Sequence, residues 1–281
     1  MLPLLPSWVT SPRSEALEAV AFLAGAALSH LHLVVNHPAV PQGLLRDRLA
    51  LQSAETCMSF SGRPERVGEL RDAVCLMKSG DLPGPAGESF LAWRRAAQQP
   101  VSLASLRRVF PNHDPVKLAD WLDAGQGDPV SKATCVIQMI LDEQARDVMT
   151  ALVLADSVLA RALGWDHLVP ILAHSLKRGD LRKREDELML ACHRAVVSGC
   201  IEAVRMAHNL ARRAAHLKSV APKLRAKGAG EAIEMFLTRD AVTPVALPLP
   251  DRSARRLCDR LVELGAIREL TGREMFRIYG V

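Results

Sequence analysis

Apolar residues recur at intervals of three and four through residues 16–35, 42–60, 66–77, 88–98, 129–141, 145–163, 167–177, 184–198 and 201–217. That spacing gathers them on one face of a helix and predicts a succession of amphipathic helices. Short punctuated segments separate them. Residues 79–87, SGDLPGPAG, carry two prolines and three glycines and predict a loop without regular structure. Further loops are predicted at residues 112–115 and 125–129, the second placing Pro129 at a favourable first helical position. No internal similarity recurs at solenoid periods, which favours a compact bundle over an array.

The pattern changes toward the C-terminus. Residues 229–239, AGEAIEMFLTR, form an amphipathic helix with Ile233, Phe236 and Leu237 on one side, and Pro244, Pro248 and Pro250 then leave room for one helical turn at most. Asp251 stands as an N-cap, Ala254, Leu257, Leu261 and Leu264 make an apolar stripe, and Gly265 ends the helix. Beyond it the period becomes extended. Residues 266–270 (AIREL) and 275–279 (MFRIY), joined by residues 271–274, predict a β-hairpin with a polar tip. Helix, glycine stop and basic-tipped hairpin are the parts of a winged helix in order. The fold expected is mainly α: a multi-helix bundle over residues 1–220 and a small, basic C-terminal winged-helix domain, α plus β-hairpin, over residues 221–281.

Composition agrees with this division. At 281 residues the chain can hold a sizeable core and one small appended domain. Apolar residues make up 49% and aromatics only 4%, with Tyr279 the single tyrosine, a balance that favours packed helices over a sandwich or barrel. Cys57, Cys75, Cys135, Cys192, Cys200 and Cys258 include no CxxC pair and read as small buried hydrophobes in a reducing cytoplasm. Cys192, His193, Cys200 and His208 match none of the familiar zinc spacings, so no metal or other cofactor is expected. Residues 16–35 are the one stretch long enough to suggest a membrane span. They contain Glu18, His30 and His32, and the preceding residues lack the start of a signal peptide; a core helix, with no membrane association, is the expectation.

Charge separates the two ends. Residues 205–281 hold 15 Lys or Arg and 8 Asp or Glu, a net of +7; the whole chain is +5, so the first 204 residues carry −2. A basic module of this kind is drawn to phosphates through counterion release, although a solvated helix face has the same composition. Opposite the apolar stripe of residues 251–264 stand Arg252, Arg255, Arg256 and Arg260, and the hairpin adds Arg273 and Arg277. A helix fits a major groove about 12 Å wide while a hairpin lies beside the backbone. These six arginines are the candidate duplex-binding residues. Winged helices also serve as dimerisation and protein-docking modules, and that reading stays open.

Catalytic motifs are missing. No GxSxG, HExxH or Walker A segment occurs. In Trp165-Asp166-His167, neighbours on a helix would point apart rather than orient one another. Gly228-Ala229-Gly230, preceded by Lys223, Arg225 and Lys227, can receive a phosphate at a helix N-terminus and reads more simply as a basic interdomain joint.

The segments LRDRLALQSAETC (45–57), GRPERVGELRDAV (62–74), GDLPGPAGE (80–88), LADSVLARALGWDHLVPIL (154–172), APKLRAKGAGEA (221–232) and DRSARRLCDRLVELGAIRELTGREMFRIYGV (251–281) resemble the bacterial family known as domain of unknown function 1403. That resemblance spans nearly the whole chain and brings no established activity. The ending LVELGAIRELTGREMFRIYGV is similar to the winged-helix tails of Fic-type proteins and of plasmid-borne helical families with a helix-turn-helix. Two features depart from those tails: residues 243–250 replace a full first helix, and the Fic His-Pro-Phe and Gly-Asn-Gly-Arg signature is absent. Three readings follow. The first is a cytoplasmic DNA-binding regulatory or accessory protein, with a possible homodimer; the second is a non-enzymatic scaffold that docks through the winged helix; the third is a diverged Fic-like enzyme.

Overall fold

The structure, a computed structural model, describes residues 2–11, 16–78, 80–224, 228–273 and 275–281. Ser79 of the predicted loop, Arg225 and Lys227 of the basic joint and Glu274 of the hairpin tip lie outside the described residues. The chain is mainly α-helical. In order come α1 (Ser7–Thr10), α2 (Leu17–Val35), α3 (Gln42–Phe60), α4 (Val67–Cys75), α5 (Gly84–Gln98), α6 (Leu103–Val109), α7 (Pro115–Asp123) and α8 (Pro129–Glu143). They are followed by α9 (Val148–Ala162), α10 (Leu172–Ser175), α11 (Glu185–Val220), α12 (Ala229–Thr238), α13 (Asp251–Glu263), β1 (Arg268–Glu269) and β2 (Tyr279–Gly280).

Local chemistry starts several of these helices. Ser102 accepts the Ser105 N–H ahead of α6, Asp114 the Val116 N–H ahead of α7, Asp128 the Val130 and Ser131 N–H groups ahead of α8, and Asp147 the Thr150 N–H ahead of α9. Pro115 and Pro129 occupy first-turn positions that need no N–H. α6 and α7, of seven and nine residues, were not among the expected helices. The expected loop at 79–87 is shorter than its composition implies: α5 begins at Gly84, with Pro85 tolerated in the first turn.

Two expectations are corrected. Residues 184–198 and 201–217 belong to one helix, α11, of 36 residues, about 54 Å long. Gly199 looks like a break in the sequence. A Cβ there would lie 2.5 Å from the Ile171 carbonyl oxygen, so the glycine admits a neighbouring segment and leaves the helix unbroken. Conversely, residues 167–177 are helical only over α10. Val101 donates its N–H to the Asp166 carbonyl at 2.8 Å, and Pro100 bridges His167. The Asp156 carboxylate accepts the N–H groups of Ile171, Leu172 and Ala173 at 3.2, 3.0 and 3.4 Å. Backbone groups satisfied from outside have no need of a helix.

α11 runs along α2 and also packs on α8, α3 and α10, while α8 pairs with α9 and α3 with α5. A single buried cluster takes in Leu44, Trp93, Leu154 and Val196 together with Phe236, Leu257 and Val281. α2 is long and apolar enough, by length and composition, to cross a membrane; Leu23, Ala27, Leu31 and Val34 enter the core, and Phe22 and Leu33 are exposed.

The C-terminal segment is fastened to the bundle by buried charge. Asp240 is 1% exposed and meets Arg48 of α3 at 2.8 Å and Arg71 of α4 at 2.5 Å. Asp47, with no exposure, accepts the Asp240 N–H at 2.8 Å and pairs with Arg94 of α5 at 2.8 Å, and Gln98 donates to it at 3.2 Å. Arg48 also donates to the Val281 main-chain oxygen at 3.1 Å. Burial pushes both carboxyls up; at Asp240 the two arginines outweigh it and hold the group below its ordinary range, whereas Asp47 stays above, opposed by Arg94. Gly280 completes the joint, since a Cβ there would stand 2.5 Å from the Asp240 carbonyl oxygen.

Removing one member of such a network strands the rest. Asp240→Ala at neutral pH is expected to cost about 3–5 kcal/mol in denaturant unfolding. Because the folded Asp240 carboxyl sits low, its contribution is present above about pH 4 and fades as pH falls through the folded value; a loss below about 1 kcal/mol at neutral pH contradicts the assignment. Asp156 runs the opposite way. Burial drives it up to about 7, against its three N–H donors. The unfolded chain therefore loses this proton first, and the stability that neutral Asp156 contributes disappears as pH rises from about 4 to about 7. The unfolding free energy of the native protein minus that of Asp156→Asn is expected to fall across that window and flatten above it; a rising difference refutes it.

Candidate nucleic-acid interface

α13 is strongly two-faced. Ala254, Leu257, Cys258 and Leu261 are buried and Leu264 is half-buried, which extends the expected stripe by one cysteine. Gly265 takes a φ of 64° where the helix was expected to stop. Asp251 does not act as an N-cap: it is the first residue of α13, behind Pro250, and its carboxylate turns to Arg255 at 3.0 Å. His216 near the end of α11 donates its Nε2–H to the Leu264 carbonyl at 3.0 Å and ties the far end of α13 to the bundle.

Ahead of α13 the expected single turn is present as a 3-10 turn, Pro244–Ala246. The hairpin is smaller than expected. β1 and β2 pair antiparallel with Arg268 opposite Gly280 and Glu269 opposite Tyr279, and Leu270 donates to the Ile278 carbonyl at 2.8 Å. Residues 275–277 therefore lie in the connecting loop. Val242 adds a third partner, exchanging two hydrogen bonds with Tyr279 at 2.8 and 2.9 Å.

All six candidate arginines are exposed. Arg255 and Arg260 meet carboxylates of their own helix, Asp251 at 3.0 Å and Glu263 at 2.9 Å. Exposed pairs one turn apart contribute about 0.3–0.5 kcal/mol and yield readily to a stronger anion. Arg252 and Arg256 have no carboxylate partner among the described residues. The hairpin arginines are held more firmly. Arg273 pairs with Asp72 of α4, so the loop rests on the bundle, and Arg277 reaches the Arg273 carbonyl at 3.2 Å and Glu269 at 3.9 Å.

Two further arginines, Arg268 and Arg213, interact with one another. Arg268 on β1 is drawn below its ordinary pKa by partial burial and then by the positive charges of Arg213 on α11, Arg48 and Arg71. Asp240, the partner of Arg48 and Arg71, works in the opposite direction. An extended residue followed by Glu269 gives no sequence sign that it will face Arg213, 55 positions earlier.

The other candidates are dispersed. Cys192 and Cys200 are fully buried, His193 is nearly so, and His208 donates to the Pro3 carbonyl at 3.0 Å. Among the described residues no three His, Cys, Asp or Glu side chains gather as a metal-binding set. Burial pushes the thiols of Cys57, Cys192 and Cys258 up to about 12, far from the thiolate needed for nucleophilic work. His167 is half-buried in an extended segment, its pKa lowered by burial and by Arg46. His113 meets Asp147 at 2.7 Å, and that carboxylate also caps α9.

Residues 1–281 match the family model described as protein of unknown function (DUF1403). No curated protein matches the chain.

Proposed function

The chain belongs to the DUF1403 family, and within it we propose a DNA-binding regulatory or accessory protein that contacts duplex phosphates through α13 and the loop between β1 and β2. The observation that carries this reading is the outward face of α13. Its four arginines are open to solvent, and no carboxylate from another described element covers them. The chain order supports it too. Helix α12, an extended residue at Val242, a short turn, helix α13 and a hairpin whose second strand pairs with Val242 follow the winged-helix sequence of parts. In that comparison the helix before the recognition helix is reduced to the turn Pro244–Ala246. α13, about 20 Å long and about 10–12 Å across with its side chains, fits a major groove. A cytoplasmic location and a basic module spanning residues 221–281 go with this reading.

A scaffold role rests on a different observation. Met275 and Phe276 in the connecting loop are 72% and 64% exposed, and Phe276 takes a φ of 57°, unusual for a bulky side chain. An apolar loop tip held in a set conformation suits docking on a protein or on a second copy of the chain.

Fluorescence polarisation with short duplexes at low salt separates the two. Binding is expected to weaken on a log-log plot by about 0.9 per phosphate contact as salt rises, and Arg252→Ala/Arg256→Ala is expected to lower that slope by about 1.8. No binding to any duplex, in either protein, removes the DNA reading. The docking reading then requires Met275→Ser/Phe276→Ser to change the sedimentation of the native assembly.

A further inference from the structure

On the bundle, away from the residues assigned to DNA, lies a cleft of about 690 Å³. It opens between the end of α3, the α8–α9 connection and the α10–α11 connection, and it is lined by Arg146, Arg178, Arg182 and Arg184. Three of these arginines come from the basic run at residues 177–184, KRGDLRKR, and Arg146 comes to them from the α8–α9 connection.

Three carboxylates close in sequence to the cleft are already engaged, while Glu185, Asp186 and Glu187 stand exposed in the first turn of α11. Asp147 pairs with His113 at 2.7 Å, Asp180 with Lys183 at 2.6 Å, and Asp142 with Arg184 at 2.9 Å. Arg146, Arg178 and Arg182 have no carboxylate partner among the described residues. All four arginines are exposed, and an anion of matching charge would fill their hydrogen-bonding forks. Apart from Ser61 the remaining lining is apolar: Phe60, Leu141, Ala145, Val148 and Leu181. A cleft of this volume is in the range that takes small organic ligands. Next to it Glu185, the first residue of α11, takes a φ of 49°, a conformation uncommon outside glycine and found where a structure holds strain near a site.

We propose that this cleft binds a small organic polyphosphate of nucleotide size, with Arg146, Arg178 and Arg182 on its phosphates, Arg184 at the rim and the organic part against Leu141 and Leu181. Several guanidinium forks call for a ligand with several anionic oxygens in a compact group, and the apolar wall calls for more than an inorganic anion. A lone carboxylate carries too little charge for three unpartnered arginines. The site is independent of the duplex-binding reading, because none of its residues lies on α13 or the hairpin.

Isothermal titration of the full chain with ATP, GTP, inorganic tripolyphosphate and adenosine tests it. Tripolyphosphate and at least one nucleotide are expected to bind saturably, the nucleotide about tenfold more tightly through its buried apolar part. Adenosine alone is expected not to bind. Arg146→Ala/Arg182→Ala is expected to weaken the nucleotide by about tenfold or more for each guanidinium removed, and Arg146→Lys/Arg182→Lys, which keeps charge and loses the fork, to fall between. Arg252→Ala/Arg256→Ala is expected to bind the nucleotide as the native protein does. A rise in the native protein's melting temperature with nucleotide gives a readout that needs no variant. The proposal is overturned if neither tripolyphosphate nor a nucleotide binds up to millimolar concentration, or if adenosine binds as well as ATP. It is equally overturned if binding survives loss of the cleft arginines and disappears with those of α13.

Discussion

Two carboxylates that the bundle almost closes off from water decide how the C-terminal segment sits. Asp47 and Asp240 lie back to back, one accepting the other's N–H, and Arg48, Arg71, Arg94 and Gln98 surround them from three helices. Neither acid is tolerable there alone, because an unpaired charge in the interior costs several kcal/mol, on the order of 3–5. The cluster is therefore satisfied only when α3, α4, α5 and the chain around residues 240 and 281 come together. Its consequence reaches the surface. With Asp240 fixed, Val242 pairs with Tyr279, the hairpin closes, and α13 lies with its apolar stripe inward and its arginines outward. Arg273 on Asp72 and His216 on Leu264 hold the two outer ends of the same unit.

Different amounts of this were legible in the sequence, for physical reasons. Periodicity gave the long amphipathic helices closely, α3 with its bounds, because burial of a continuous stripe is a local property of the chain. It failed where the decisive partner is remote. Residues 167–171 have a helix's pattern, yet Val101 takes the Asp166 carbonyl just ahead of them and Asp156 the Ile171 N–H at their end, and Gly199 reads as a break until the Ile171 carbonyl is seen against it. α6 and α7 went unread although their caps, Ser102 and Asp114, were in view.

Surface chemistry followed the same division. The arginine face of α13 was readable because its members are one helix turn apart. Arg268 beside Arg213, and Asp240 between Arg48 and Arg71, join residues 55 to 192 positions apart and leave no mark in any local pattern. The cleft arginines escaped notice for the opposite reason. Arg178, Arg182 and Arg184 are interleaved with or followed by Asp180, Glu185 and Asp186, so the segment looks balanced, although Asp180 is taken by Lys183 and the two acids of α11 do not line the cleft. A count of charge along the chain averages over directions that folding separates.

The coupling between the buried carboxylate cluster and the outward face of α13 is tested most directly by hydrogen exchange, read along the chain with and without a short duplex at low salt. The expected result is slowed exchange at residues 251–263 and 268–273, extending to the backbone at 240–242, with α2 and α9 unchanged. Slowing confined to the bundle, or none at a duplex concentration that saturates binding, contradicts the account.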